Sequence, residues 1–320
     1  MISDKDQDLK RLFHESRLPD VDLSGEVMSR LCTEQKPKER FIVKRKVSVL
    51  VLAGMLLAVS TAVAATNHYV LKNKQGEVVV EEKTLDKSSP DGQAPSLDEQ
   101  IRSLKSHGLS DDLLKEGTAA VFYLASNNPD HKLNVEYRPT NFDDLAKLRE
   151  RMAGQPAKLF ERIGGSYKFE QATVFFFPTV YEKPMTPQAE AKLAESLRKQ
   201  AEESNKGYAM MPLEVSPDHW RINGTYKQGE QEIRVSIARI PGKQTILVPE
   251  NADVNRENLK VKGVDMVYTE FNGEDTGIGG RNIQWVEDVP GSKQAVHYHI
   301  ETGLQISKEQ LIKLAEAYLE

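Results

Sequence analysis

Apolar positions recur at three different spacings along this chain, and each spacing predicts a different kind of element. Between Val47 and Ala65, nineteen residues pass without a charge, VSVLVLAGMLLAVSTAVAA. As a helix rising about 1.5 Å per residue they reach close to the roughly 30 Å of a bilayer's hydrocarbon core, with every backbone group bonded inside the segment. The pattern predicts one membrane-spanning helix over 47–65. Before it, Leu9, Leu12 and Phe13 form a stripe, Pro19 interrupts, and Leu23, Val27 and Leu31 resume at helical spacing. The tail over 1–46 is too short to bury these stripes, so it is either disordered or docked on the membrane surface, or completed by a cytoplasmic partner protein for which these six residues are the candidate contacts.

After the apolar stretch the period changes to two. Residues 66–95 read as a juxtamembrane hairpin, from Tyr69 to Val80 with its turn at Asn73 to Gly76, followed by a linker of composition KSSPDGQAP. A capping box at Ser96 and Glu99 opens a helix that Gly108 is expected to end. The runs from Ala120 and from Leu133 form a second hairpin around Asn127 to Asp130. A helix is expected from Asn141, on Phe142, Leu145, Leu148 and Met152, then a strand through Ala172 to Phe177. Thr186-Pro187 marks the next helix, whose apolar stripe of Ala189, Leu193, Leu197 and Ala201 is thin. From Gly207 to Thr302 extended runs begin at Trp220, Glu232, Thr245, Val264, Asn282 and Ala295, separated by turns and no helix. Such a succession implies an antiparallel sheet. Ser307 to Gln310 is a second capping box, before a terminal helix with Leu311, Leu314, Ala315 and Tyr318 on one face. The expected fold is α+β, an antiparallel sheet with packed helices over 96–320, preceded by one transmembrane helix.

Charge orients this arrangement. Eleven Lys and Arg stand against nine Asp and Glu up to Lys46, and 32 against 39 beyond the apolar stretch. Lys36, Lys38, Arg40, Lys44, Arg45 and Lys46 crowd the amino side of that stretch, which places the tail in the cytoplasm and the large domain outside the cell membrane. A cleaved signal peptide ending at Ala64 would need a leader far beyond the usual length of about 15 to 30 residues, so retention of the anchor is favoured. The net negative outer domain argues against nucleic acid as a partner. The single cysteine, Cys32, lies in the tail, so the outer domain has no disulfide and depends on its apolar core.

The ending Ile283-Gln-Trp-Val-Glu, then Val296-His-Tyr-His-Ile, then Ser307-Lys-Glu-Gln-Leu-Ile-Lys-Leu-Ala-Glu resembles domain-of-unknown-function family 4367, and Tyr167-Lys-Phe169 resembles its opening strand. The resemblance spans about 165–320 and implies an extracytoplasmic domain on a single-pass membrane protein of Gram-positive type. It also implies a half-open sheet of the lipoprotein-carrier kind. Some members of that family are of anti-sigma type, so it implies a membrane-anchored sensor with a sigma factor as cytoplasmic partner and an envelope ligand outside. A tethered, non-enzymatic binding module for a lipid or wall component is the alternative. The zinc-type anti-sigma spacing of one His and two Cys is absent, because His14 and Cys32 stand alone.

Candidate chemistry is sparse. Asp275-Thr276-Gly277 has the aspartic-protease triplet but sits among Gly and Asn that suit a turn. His297 and His299 share one face of a strand and are too few for a metal centre. Asn223-Gly-Thr225 is a sequon by pattern and reads as a turn. No G-x-S-x-G, Walker A or H-E-x-x-H occurs. No catalytic residue and no cofactor is expected.

Overall fold

The computed structural model describes residues 69–85, 95–249, 254–271 and 279–320. The expected membrane helix over 47–65, the tail residues Leu9, Leu12, Phe13, Leu23, Val27 and Leu31, and the Asp275-Thr276-Gly277 triplet lie outside these residues. Among the described residues no helix is long and apolar enough to cross a membrane.

Over the described residues the fold is α+β, mostly antiparallel sheet with four α-helices. Its largest part is a nine-stranded antiparallel sheet. The path across it runs β12 (Val254–Val261), β13 (Val264–Phe271), β14 (Gly280–Asp288), β15 (Ala295–Gly303), β10 (Gln231–Ile240), β9 (Val215–Gln228), β7 (Tyr167–Pro178) and β5 (Thr140–Phe142), with β6 (Arg162–Ile163) also paired to β7. Alternate residues of these strands are apolar on one face: Trp220, Ile222 and Tyr226; Ile233, Val235 and Ile237; Ile283 and Trp285; Val296, Tyr298 and Ile300. Two helices close that face, α2 (Leu145–Arg151) through Leu148 and α4 (Lys308–Glu316) through Leu311, Leu314 and Ala315. Trp285 stacks on Tyr298 with ring centres 5.2 Å apart, and Tyr318 meets both rings beside α4. The capping box at Ser307 and Gln310 forms as expected and fixes where α4 begins.

The opposite face is covered at its two ends. Over β13 and β14 lies a three-stranded sheet of β1 (Val70–Lys72), β2 (Val78–Leu85) and β11 (Gln244–Pro249), joined through Leu71, Val79 and Val80 to Val267, Val286, Ile240 and Ala295. Near β7 stands a third sheet, β4 (Leu133–Tyr137), β3 (Ala119–Leu124) and β8 (Tyr208–Leu213). All six residues of β3 are buried. Helix α1 (Leu97–Leu113) with the following Leu114 covers Ala120, Phe122 and Leu124, and helix α3 (Pro187–Glu203) covers Val121 and Tyr123.

Four expectations need correction. Helix α1 starts at its capping box but passes through Gly108, because one glycine costs a helix only about 1 kcal/mol and Leu109 and Leu114 continue its packing on β3. The next helix starts at Leu145 rather than after Asn141: Phe142 belongs to β5, paired with β7, and the Asp144 side chain accepts from Ala146 and Lys147 as the cap. The run at Thr245 leaves the antiparallel order and pairs parallel with β2. Asn223-Gly-Thr225 is mid-strand in β9, where Gly224 lies within reach of the Tyr226 ring, since an added Cβ would meet it at 3.3 Å.

Candidate functional site

Strand β9 turns His219, Arg221, Asn223 and Thr225 to the face away from α2 and α4, because strand residues alternate sides and Trp220, Ile222 and Tyr226 occupy the helix side. Register then builds two rows across the sheet. Arg221 is flanked by Phe175 of β7 and Ala238 of β10, and Ala238 is opposite His297 of β15. One step along, Thr173, Asn223, Ser236, His299 and Gln284 line up. Ala238 and Ser236 are small, so β10 forms a low floor between a wall carrying Arg221 and Asn223 and a wall carrying the two histidines.

The histidine wall is wired to strand β2 of the small sheet. His297 and His299 stack with ring centres 6.4 Å apart. His297 Nε2 lies 3.0 Å from Gln284 Oε1, an atom that only accepts, so this nitrogen carries the proton. Gln284 Nε2 donates to Glu82 Oε1 at 2.9 Å, and Arg256 Nε donates to Glu82 Oε2 at 2.6 Å. Burial, with help from His299 and Arg221, lowers the His297 pKa to about 3, and burial also lowers that of His299. Both rings are therefore neutral near pH 7.

The arginine wall has no such wiring. Among the described residues the Arg221 guanidinium has neither a hydrogen bond nor an ion pair, and burial pulls its pKa below the ordinary value. Its charge adds to burial in depressing His219 as well. The side chains of Asn223 and Ser236 and the ring nitrogens of His299 likewise have no hydrogen-bond partner among the described residues, and His219 Nδ1 is buried without one. Beside Phe175 lies an aromatic rim in which Tyr137 meets Phe175, Phe177 and Tyr181 edge-on at 6.2, 5.3 and 6.4 Å. Tyr181 is 46% exposed, so the rim reaches solvent.

This arrangement offers one fixed cation and several idle donors around a small-residue floor. Ser236 faces His299 across the strand pair without bonding to it. On the helix face, by contrast, packing leaves only a small apolar hollow, lined by Leu148, Leu159, Phe169, Ile222, Gly224 and Tyr226 among others.

Sequence reasoning placed the two histidines on one face, and the structure keeps them there. It missed Arg221, Asn223 and Ser236. Their signal was the parity of Arg221-x-Asn223-x-Thr225, opposite to Trp220-x-Ile222, which puts a half-buried cation on the polar side of the strand. No family model, no curated protein and no solved structure matches the chain.

Proposed function

We propose that the chain is a membrane-anchored regulator of anti-sigma type, in which the outer α+β domain senses a ligand on the face around Arg221 and the tail holds a cytoplasmic sigma factor. One observation carries this reading. Strand β1 begins at Val70, five residues beyond the apolar stretch that ends at Ala65, and its partner β2 supplies Glu82 to the buried chain Arg256–Glu82–Gln284–His297. A ligand that moves the histidine wall therefore acts on the strand pair nearest the membrane segment, and a shift of packed elements is the usual carrier of such signals. The two free edges of the large sheet, β12 and β5, with helices on one face, support the half-open, carrier-like reading of the fold.

The expected partner contacts remain Leu9, Leu12, Phe13, Leu23, Val27 and Leu31. Full-length protein solubilised from membranes should co-purify with a sigma factor, and a version lacking residues 1–35 should not. Recovery of the same proteins by both versions would remove the regulator reading. What would then remain is a tethered binding module whose tail is only a basic anchor. A protease added to intact protoplasts should cut the outer domain, and its complete survival would overturn the topology.

A further inference from the structure

We infer that the trough between Arg221 and the His297–His299 pair is a binding site for a phosphate group, held by the Arg221 fork with Asn223, Ser236 and His299 as further donors. The inference rests on the sensing face proposed above and names its ligand chemistry.

Arg221 is half-buried, and a cation partly withdrawn from water without a partner is held at a cost that natural structures usually offset with a paired group or a ligand. Among the described residues Arg221 has no acid beside it. The carboxylates felt in this region act elsewhere: Glu82 and Glu301 on His299, Glu182 on His219, Glu136 on Tyr137. Glu82 is engaged by Arg256 and Gln284. The missing negative charge is thus supplied from outside this set of residues.

The donor count selects the anion. Arginine presents five N–H groups in a planar fork that matches phosphate and carboxylate oxygens in pairs. Asn223 and Ser236 add donors from neighbouring strands, and a neutral His299 adds one N–H. A carboxylate has two oxygens for this set, whereas a phosphate has three or four. The floor of Ala238 and Ser236 gives the group room to approach the sheet, since any larger side chain there would stand in the trough. The rim of Tyr137, Phe175, Phe177 and Tyr181 lies next to the arginine and suits the apolar or ring-bearing remainder of a phosphate ester.

The group has two possible sources, a free phosphate and a phospholipid head. Full-length protein in a neutral detergent would be titrated with inorganic phosphate and, separately, with dihexanoyl phosphatidylglycerol below its micelle concentration. Thermal stability and the ¹H–¹³C signals of His297 and His299 would be followed. Phosphate is expected to raise the melting temperature and shift both imidazole signals, and Arg221→Gln is expected to weaken this at least tenfold, with Arg221→Lys between the two. Without phosphate, Arg221→Gln should melt no lower than the parent, because it removes an uncompensated charge. Tighter binding of the short-chain lipid than of phosphate would assign the source to a headgroup, and equal or weaker binding to a free phosphate. An unresponsive parent protein, or an Arg221→Gln variant that melts well below it while phosphate binding persists, overturns the site. Phosphate binding without sigma-factor capture sinks the regulator and keeps the site, whereas capture without phosphate binding does the reverse.

Discussion

The two faces of the large sheet treat arginine in opposite ways. Arg239, on the helix side of β10, donates to Gln155 at 3.1 Å and to Gln294 at 2.7 Å and pairs with Asp218 at 2.7 Å. Arg221, one strand away on β9 and turned to the other face, has no such partner among the described residues. On the helix face Trp220 Nε1 donates to the same Gln155 at 2.8 Å and Tyr167 donates to Gln231 at 2.8 Å, although Trp285 Nε1 and Tyr318 Oη are buried there without a partner among the described residues. The other face leaves donors idle on three adjacent strands. The helix face meets its cation with acceptors of its own, and the other face does not.

The comparison breaks most sharply at Trp285. The ring is fully buried, stacked on Tyr298 and in edge contact with Tyr318. Trp285→Ala should cost about 3–5 kcal/mol, read as a lowered midpoint in urea unfolding, because no neighbour can fill the space of an indole. A loss below about 1 kcal/mol would mean that the helix face is not the core. A second substitution tests the wiring on the far side. Gln284→Leu deprives both Glu82 and His297 of a buried partner and should cost about 2–3 kcal/mol by the same measurement. On the regulatory reading it should also uncouple ligand binding from sigma-factor release.

Much of this fold was legible because its signals are local. Capping boxes at Ser96 and Ser307, the Asn-Pro turn and the alternation in Ala295 to Ile300 each depend on neighbours within a few residues. The elements that were misplaced depend on distant partners. β5 is a strand only because β7 pairs with it, and β11 runs parallel only because β2 offers an edge. Strand β12, with the sequence VNRENLKV, has too few apolar positions to announce itself and is stabilised as an edge by β13. The candidate site was illegible for the same reason. Arg221, Ser236 and His299 lie 15 and 63 residues apart in sequence and become neighbours through register alone.

Acid should separate the faces next. An imidazole whose folded pKa lies below its unfolded value makes the unfolded chain the better proton acceptor, so stability is present above the unfolded pKa and falls as pH drops toward the folded one. For His297 that window runs from about 6.5 down to about 3. Moving from pH 7 to pH 5 should remove about 2 kcal/mol through His297 alone. Arg221 and His299 sharpen the effect, while Glu82 and Glu301 oppose it at the neighbouring ring. His297→Gln should flatten the slope between pH 7 and pH 5 in urea titrations, and an unchanged slope would place the acid sensitivity elsewhere.

The smallest expected effect is the most telling. Asn223→Ala and Ser236→Ala delete polar groups that bond to nothing in the described structure, so each should change the unfolding free energy by less than about 0.5 kcal/mol. Similar truncations on the helix face would strand a partner: Gln155→Ala leaves Trp220 Nε1 without its acceptor and removes one of the partners of Arg239, and should cost about 1–3 kcal/mol. Equal losses from the two kinds of variant would show that Asn223 and Ser236 serve folding after all. A near-zero loss, combined with weaker phosphate binding in the double variant, would mean that these side chains are held in place by the sheet for what they can bind.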